Sequence, residues 1–147
     1  MQRYSLFDNP IAISILFFIV LVVNIFLPIH FISILLAGVV FTAFVRSLEK
    51  KYNYSLFFLI IAFVIIEVSQ GLKIFSLSLL SLFIYLFIVP KLKSVFSSLN
   101  IYLITILLIF YLGVILLYRF LGDVNAELIS IILINFFIDI FIVGFII

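Results

Sequence analysis

Apolar residues run along this chain in six stretches, roughly 11–27, 29–45, 54–68, 74–89, 101–118 and 128–147. Short polar breaks separate them: Pro28 to His30, RSLEKKYN (46–53), SQGLK (69–73), PKLKSVFSSLN (90–100) and RFLGDVNAE (119–127). A helix that crosses a bilayer needs about 20 residues at about 1.5 Å of rise each. The third and fourth stretches fall short of that and must borrow from their flanks. The runs are continuously apolar instead of alternating, which argues against a β-barrel. The pattern predicts an all-α integral membrane protein with one membrane domain over 1–147, a six-transmembrane-helix bundle. Loops of about ten residues or fewer leave no room for a separate soluble domain.

Composition sharpens this. Hydrophobic residues make up 69% of the 147 and charged ones 10%, with a mean hydropathy of +1.62. So few charges cannot form the polar shell of a soluble domain, so most side chains must face lipid. Arg3 ahead of the first run gives a signal-like start. That run is longer than an ordinary signal h-region and no A-x-A-like site follows, so it reads as a retained first span. With the N-terminus cytoplasmic, Arg3, Arg46, Lys50, Lys51, Lys91 and Lys93 lie inside and only Lys73 and Arg119 outside. That asymmetry predicts both termini in the cytoplasm. Tyr4, Tyr52, Tyr54, Tyr85 and Tyr102 then fall near the inner interface and Tyr118 near the outer one, in place of the absent tryptophan.

The stretch IIEVSQGLK (65–73) puts a carboxylate, an amide, a glycine and an ammonium in a greasy region. It is the expected outer turn between spans three and four. Gly71 suits a helix end closed by a left-handed residue, and Ser69 and Gln70 can satisfy orphan carbonyls. Glu67 is then an interfacial carboxylate within reach of water or Lys73, or, with Gly71, part of a partner-binding or packing motif.

Asp139 is the more unusual acid, the twelfth residue of its twenty-residue stretch and so near the bilayer midplane. An ionised Asp there costs about 2.5–3.5 kcal/mol on insertion scales, so it should face the bundle, be protonated or be paired. Asn135, one turn earlier, shares its face. Asn24, Thr105 and Tyr111 on other spans are possible partners. Interhelical glue or partner docking is the expectation. A proton relay would need further ionisable groups at that depth, and no other span offers one. Ser33, Ala37, Gly38 and Thr42 give span two a small-residue face for close helix approach. Ser78 and Ser81 read the same way in span four.

Other chemistry finds no footing. There is no cysteine, so thiol and disulfide chemistry is excluded. The single His30 beside Pro28 reads as a loop residue, and the net charge of +2 is too small for a nucleic-acid surface. No phosphate loop, nucleophile elbow or metal-spaced cluster occurs. The expectation is no catalytic residue, no metal and no cofactor.

The order of features from residue 27 onward resembles the rod shape-determining protein MreD family. The features are LPIH (27–30) before span two, the basic loop VRSLEKKY (45–52) and the acid and glycine of EVSQG (67–71). IYLFIVPKLK (84–93) follows, with Tyr near a cytoplasmic end, and then INFFIDIF (134–141) with Asn135. The family usually carries Asp at the place of Glu67, small residues at Phe63 and Leu59, and a second glycine near Phe75. Asp139 is not part of its pattern. The resemblance implies a non-enzymatic inner-membrane scaffold of the bacterial elongation machinery, partnered with a bitopic MreC-like protein. Through that protein it implies links to the actin-like MreB filament and the peptidoglycan polymerase–transpeptidase pair. The rival reading is the substrate-binding membrane subunit of a vitamin-type importer, whose six-helix arrangement is thought to be similar. A small pore former fits the size but not the six spans.

Overall fold

The computed structural model describes residues 9–26, 36–121 and 126–146. The expectations for Arg3, Tyr4, Pro28, His30 and Ser33 lie outside these residues. The described chain is helical: α1 (Pro10–Phe26), α2 (Ala37–Lys50), α3 (Asn53–Ser69), α4 (Ser76–Phe83), a π-helical turn (Ile84–Ile88), α5 (Val89–Val95), α6 (Leu99–Leu121) and α7 (Ala126–Ile146). Among the described residues, three helical stretches are long and apolar enough to cross a membrane: Ser76–Val95, Leu99–Phe120 and Ala126–Phe145. Pro10–Phe26 and Asn53–Ser69 are shorter apolar helices.

Helix α2 is the centre of the bundle. Ten of its fourteen residues are buried, from Ala37 through Val45 and again at Ser47. A helix apolar on every side must be surrounded, and α3, α4, α6 and α7 all pack on it, while α1 leans on α3. Phe41 stacks on Phe110 with centroids 4.4 Å apart, and Phe44 meets Phe63 edge-on at 5.7 Å. Phenylalanines elsewhere point outward, among them Phe18, Phe57, Phe137 and Phe141. Lipid is as apolar as these side chains, so burial alone does not hold such helices together; close packing and polar links between helices must.

Two boundaries differ from the pattern. The break at 46–53 is mostly helix, because α2 runs on to Lys50. Arg, Leu, Glu and Lys are good helix formers, and charge by itself stops nothing. Lys51 ends the helix by turning left-handed (φ 57°), with Tyr52 N–H donating to the Ser47 carbonyl at 3.0 Å. The break at 90–100 likewise holds α5. Pro90 lacks an N–H and crowds the preceding turn, and the helix widens just before it, where Val89 N–H donates to the Ile84 carbonyl five residues back.

Candidate functional site

Helices α2 and α4 both begin in an unusual way. Each is preceded by a large apolar residue in the left-handed region, Leu36 (φ 52°) and Phe75 (φ 69°), and neither N-cap side chain supplies a hydrogen bond. The first N–H groups of a helix have no partner within it. Left bare in an apolar interior, each costs on the order of 1–3 kcal/mol. Two buried carboxylates from other helices supply the missing acceptors.

Asp139 serves α2. The Gly38 N–H donates to its Oδ2 at 2.7 Å, and the Tyr111 hydroxyl donates to the same oxygen. Asp139 and Asn135 are fully buried, and Tyr111 nearly so. Asp139 is the fourteenth of the 21 residues of α7, and Tyr111 the thirteenth of the 23 of α6. Helix α2 therefore starts level with the middle of both neighbours. At about 1.5 Å per residue its fourteen residues reach about 21 Å, well short of a bilayer core of about 30 Å. The carboxylate sits at the positive end of the α2 dipole, which offsets part of the cost of a buried charge. Its Oδ1 has no hydrogen-bond partner.

Gly38 makes this approach possible. A Cβ there would lie 2.7 Å from Asp139 Oδ2, 2.8 Å from Leu107 Cδ2 and 3.0 Å from Tyr111 Cε2. Thr42, one turn on, donates its hydroxyl to the Gly38 carbonyl at 2.5 Å. Ala37, Gly38 and Thr42 all lie in the buried part of α2.

Glu67 serves α4. Its Oε2 accepts from Phe75 N–H at 2.7 Å and its Oε1 from Leu77 N–H at 2.6 Å. Gly71 (φ 69°) closes α3 directly above: its N–H reaches the Val68 carbonyl at 3.5 Å, and Leu72 N–H reaches the Glu67 carbonyl at 2.9 Å. That pair of bonds is the left-handed helix closure glycine favours. The same residue thus ends α3 through its carbonyl and starts α4 through its carboxylate.

This corrects the expectation that Glu67 reaches water or Lys73. It is fully buried, and both its oxygens accept from backbone amides. The physical reason is that unpartnered amides at a helix start offer a buried carboxylate better terms than one flexible surface ammonium. Asn135 and Asp139 share a face of α7 but look to different groups: Asn135 Nδ2 donates to the Ile131 carbonyl at 2.9 Å, whereas Asp139 bonds across to α2 and α6. Asn24 donates to the Val20 carbonyl at 3.0 Å and accepts from the Ser69 hydroxyl at 3.4 Å. The Thr105 hydroxyl turns back to the Ile101 carbonyl, on the outer side of α6. The Ser81 hydroxyl turns back to Leu77, while that of Ser78 is buried without a partner.

Sequence reasoning missed the capping role of both acids. One signal was available. The residues before Ala37 and Ser76 are Leu and Phe, poor N-caps, so some remote acceptor was required. It also missed Glu49, which holds Lys93 at 2.7 Å and Arg46 at 3.5 Å and ties α2 to α5. Among the described residues no group of three or more His, Asp or Glu side chains is placed to hold a metal ion. What the two carboxylates do chemically is accept hydrogen bonds and fix where helices begin. Compared with models of protein families, with curated proteins and with solved structures, the chain matches none.

Proposed function

We propose that this protein is a non-enzymatic scaffold of the MreD type in the bacterial inner membrane. Its six spans have both termini in the cytoplasm, and its lateral face binds a bitopic MreC-like protein. That partner connects it to the actin-like MreB filament and the peptidoglycan polymerase–transpeptidase pair. The observation that carries the reading is the backbone at Phe75. The family has a second glycine near this position, and here a phenylalanine is held at φ 69°, a conformation that glycine adopts freely. Gly71 and Phe75 are thus both left-handed and flank the turn that the carboxylate of Glu67 holds shut. The resemblance in EVSQG therefore has a physical content, a hairpin joint built from one acid and two left-handed residues.

The interior favours the same reading over an importer subunit. In transporters, a helix that starts inside the membrane points its positive end at an anionic substrate group. Here that end of α2 is occupied by the protein's own Asp139. A scaffold needs a packed bundle and a lateral surface, and the exposed phenylalanines and isoleucines offer the latter.

Depletion in a rod-shaped host combined with affinity purification tests the proposal. The expected result is rounded cells and co-purification of a bitopic MreC-like protein, with binding lost when Glu67 and Gly71 are both replaced. Cells that keep their shape, with an energising ATPase pair in the purified complex, would establish the importer subunit instead.

A further inference from the structure

Leu77, Ser81 and Ile84 are buried at successive intervals of four and three, which places them on one face of a helix. An unbroken helix would carry that face on through Ile88, Lys91 and Val95. The chain does not follow it. Ile88 is half-buried within the π-helical turn, and beyond the turn Val89 is buried and Leu92 and Phe96 pack against the core. Lys91 and Val95 are exposed, Val95 at 73%. Each inward position past the turn thus lies one residue later than the α4 pattern dictates. The bond from Val89 N–H to the Ile84 carbonyl, reaching back five residues in place of four, accounts for the slip. In a helix of 3.6 residues per turn, one extra residue rotates everything beyond it by about 100°. In this register Lys93 meets Glu49 of α2 at 2.7 Å, with the lysine side chain half-exposed.

We infer that the π-helical turn is a rotary joint for α5, latched by the Lys93–Glu49 pair. An ion pair this exposed carries little energy, so the latch is one that opens. When it does, the turn tightens to an ordinary α turn and α5 rotates back by one residue. Lys93 swings away from α2 and Leu92 takes its place. Ile88 and Val95 stand in for Val89 and Phe96 on the inward face, so both registers offer apolar contacts. Lys91 turns inward with Val95. That cost keeps the tightened form in the minority while the latch is shut, and the long lysine stem limits it by reaching back toward the surface. The end of α5 then displays Lys93 outward in place of Lys91.

The cysteine-free chain, purified whole in mild detergent, allows a test by single-cysteine labelling with a water-soluble maleimide. Val95→Cys should react faster than Phe96→Cys. Glu49→Gln opens the latch and should raise the rate at Phe96→Cys relative to Val95→Cys about two- to fivefold, the range of an exposed ion pair. Adding Lys91→Leu, which removes the cost of the inward lysine, should raise it further. The decisive background is deletion of Phe87, an exposed residue within the turn. That deletion removes the extra residue without changing which later positions face inward. The protein should accumulate normally, and its labelling ratio should not respond to Glu49→Gln. Deletion of Leu79, exposed on the regular part of α4, puts Ser81 and Ile84 out of phase and should prevent accumulation. A ratio unmoved by Glu49→Gln and Lys91→Leu together overturns the joint. An equal change in the Phe87-deleted protein also overturns it, because it would report general fraying of α5. So does failure of the Phe87-deleted protein to accumulate where the Leu79-deleted one succeeds.

Discussion

The backbone N–H of Gly38 and the carboxylate of Asp139 meet at 2.7 Å across 101 residues of sequence, joining the start of α2 to the middle of α7. The contact joins a residue with no side chain to a buried carboxylate. Each is costly in a membrane helix on its own. Glycine weakens a helix and a buried Asp resists insertion, yet together they give the central helix a defined starting point.

Gly38→Ala tests the steric half of this pairing. The added methyl would meet Asp139 Oδ2, Leu107 and Tyr111 at 3.0 Å or less. All three belong to packed helices and cannot withdraw easily. We expect a loss of about 1–3 kcal/mol, the usual cost of overpacking a core, measured as earlier unfolding in mixed micelles of rising SDS fraction. Wild-type stability for Gly38→Ala would show that α2 and α7 can separate without penalty.

The polar half is tested at Asp139 and Tyr111. Asp139→Asn keeps an acceptor oxygen but loses the charge, so it should cost about 1 kcal/mol, the difference between a charged and a neutral hydrogen bond. The protein should still accumulate and function. Asp139→Lys sets an ammonium against the positive end of α2 and should prevent accumulation. Tyr111→Phe should destabilise wild type more than it destabilises Asp139→Asn, because the two side chains share one bond. Loss of function in Asp139→Asn at normal protein levels would instead assign this carboxylate a proton-carrying role.

At the α3–α4 joint the expected signs are opposite. Glu67→Ala strips acceptors from Phe75 and Leu77 and should cost at least about 0.5–2 kcal/mol, the value of a lost helix cap. Phe75→Gly removes a left-handed penalty of about 1–2 kcal/mol while adding about 0.5–1 kcal/mol of backbone entropy. It should therefore raise stability modestly, whereas Phe75→Ala, which keeps a Cβ, should not. If Phe75→Gly and Phe75→Ala prove equal, backbone conformation is not what the second glycine of the family supplies.

How much of this was legible depended on whether the governing interaction was local. The helical class followed from unbroken apolar runs, and Tyr111 was among the few polar groups on other spans that could answer Asp139. Gly71 could be placed at a helix end because its signal, a glycine after an apolar run, lies within a few residues. The partners of Glu67 were missed because they are backbone amides eight and ten positions away, and a sequence does not display amides. Leu36 and Phe75 gave no sign of left-handed backbone, since residue types that favour it, Gly and Asn, are absent there. The tail of α2 was hidden by charge, for Arg46 to Lys50 read as a loop although every residue in it tolerates a helix.

The proposed membrane topology rests on the basic residues at the end of α2 and on α5, and the cysteine-free chain makes it directly measurable. Proposed in the cytoplasm are the end of α2 and the segment around α5; proposed outside is the joint around Ser69 and Gly71. Ser47 is fully buried, so a thiol there would report burial and not sidedness. Ser94, Ser97 and Ser69 are exposed and suit single-cysteine labelling. With an impermeant maleimide on intact cells, Ser69→Cys should label at once, and Ser94→Cys and Ser97→Cys only after permeabilisation. The basis is five of the described cations at one end, which cytoplasmic loops retain because translocating Lys and Arg is disfavoured. Labelling of Ser94→Cys from outside would invert the map. It would also leave the α2 end out of reach of any cytoplasmic partner.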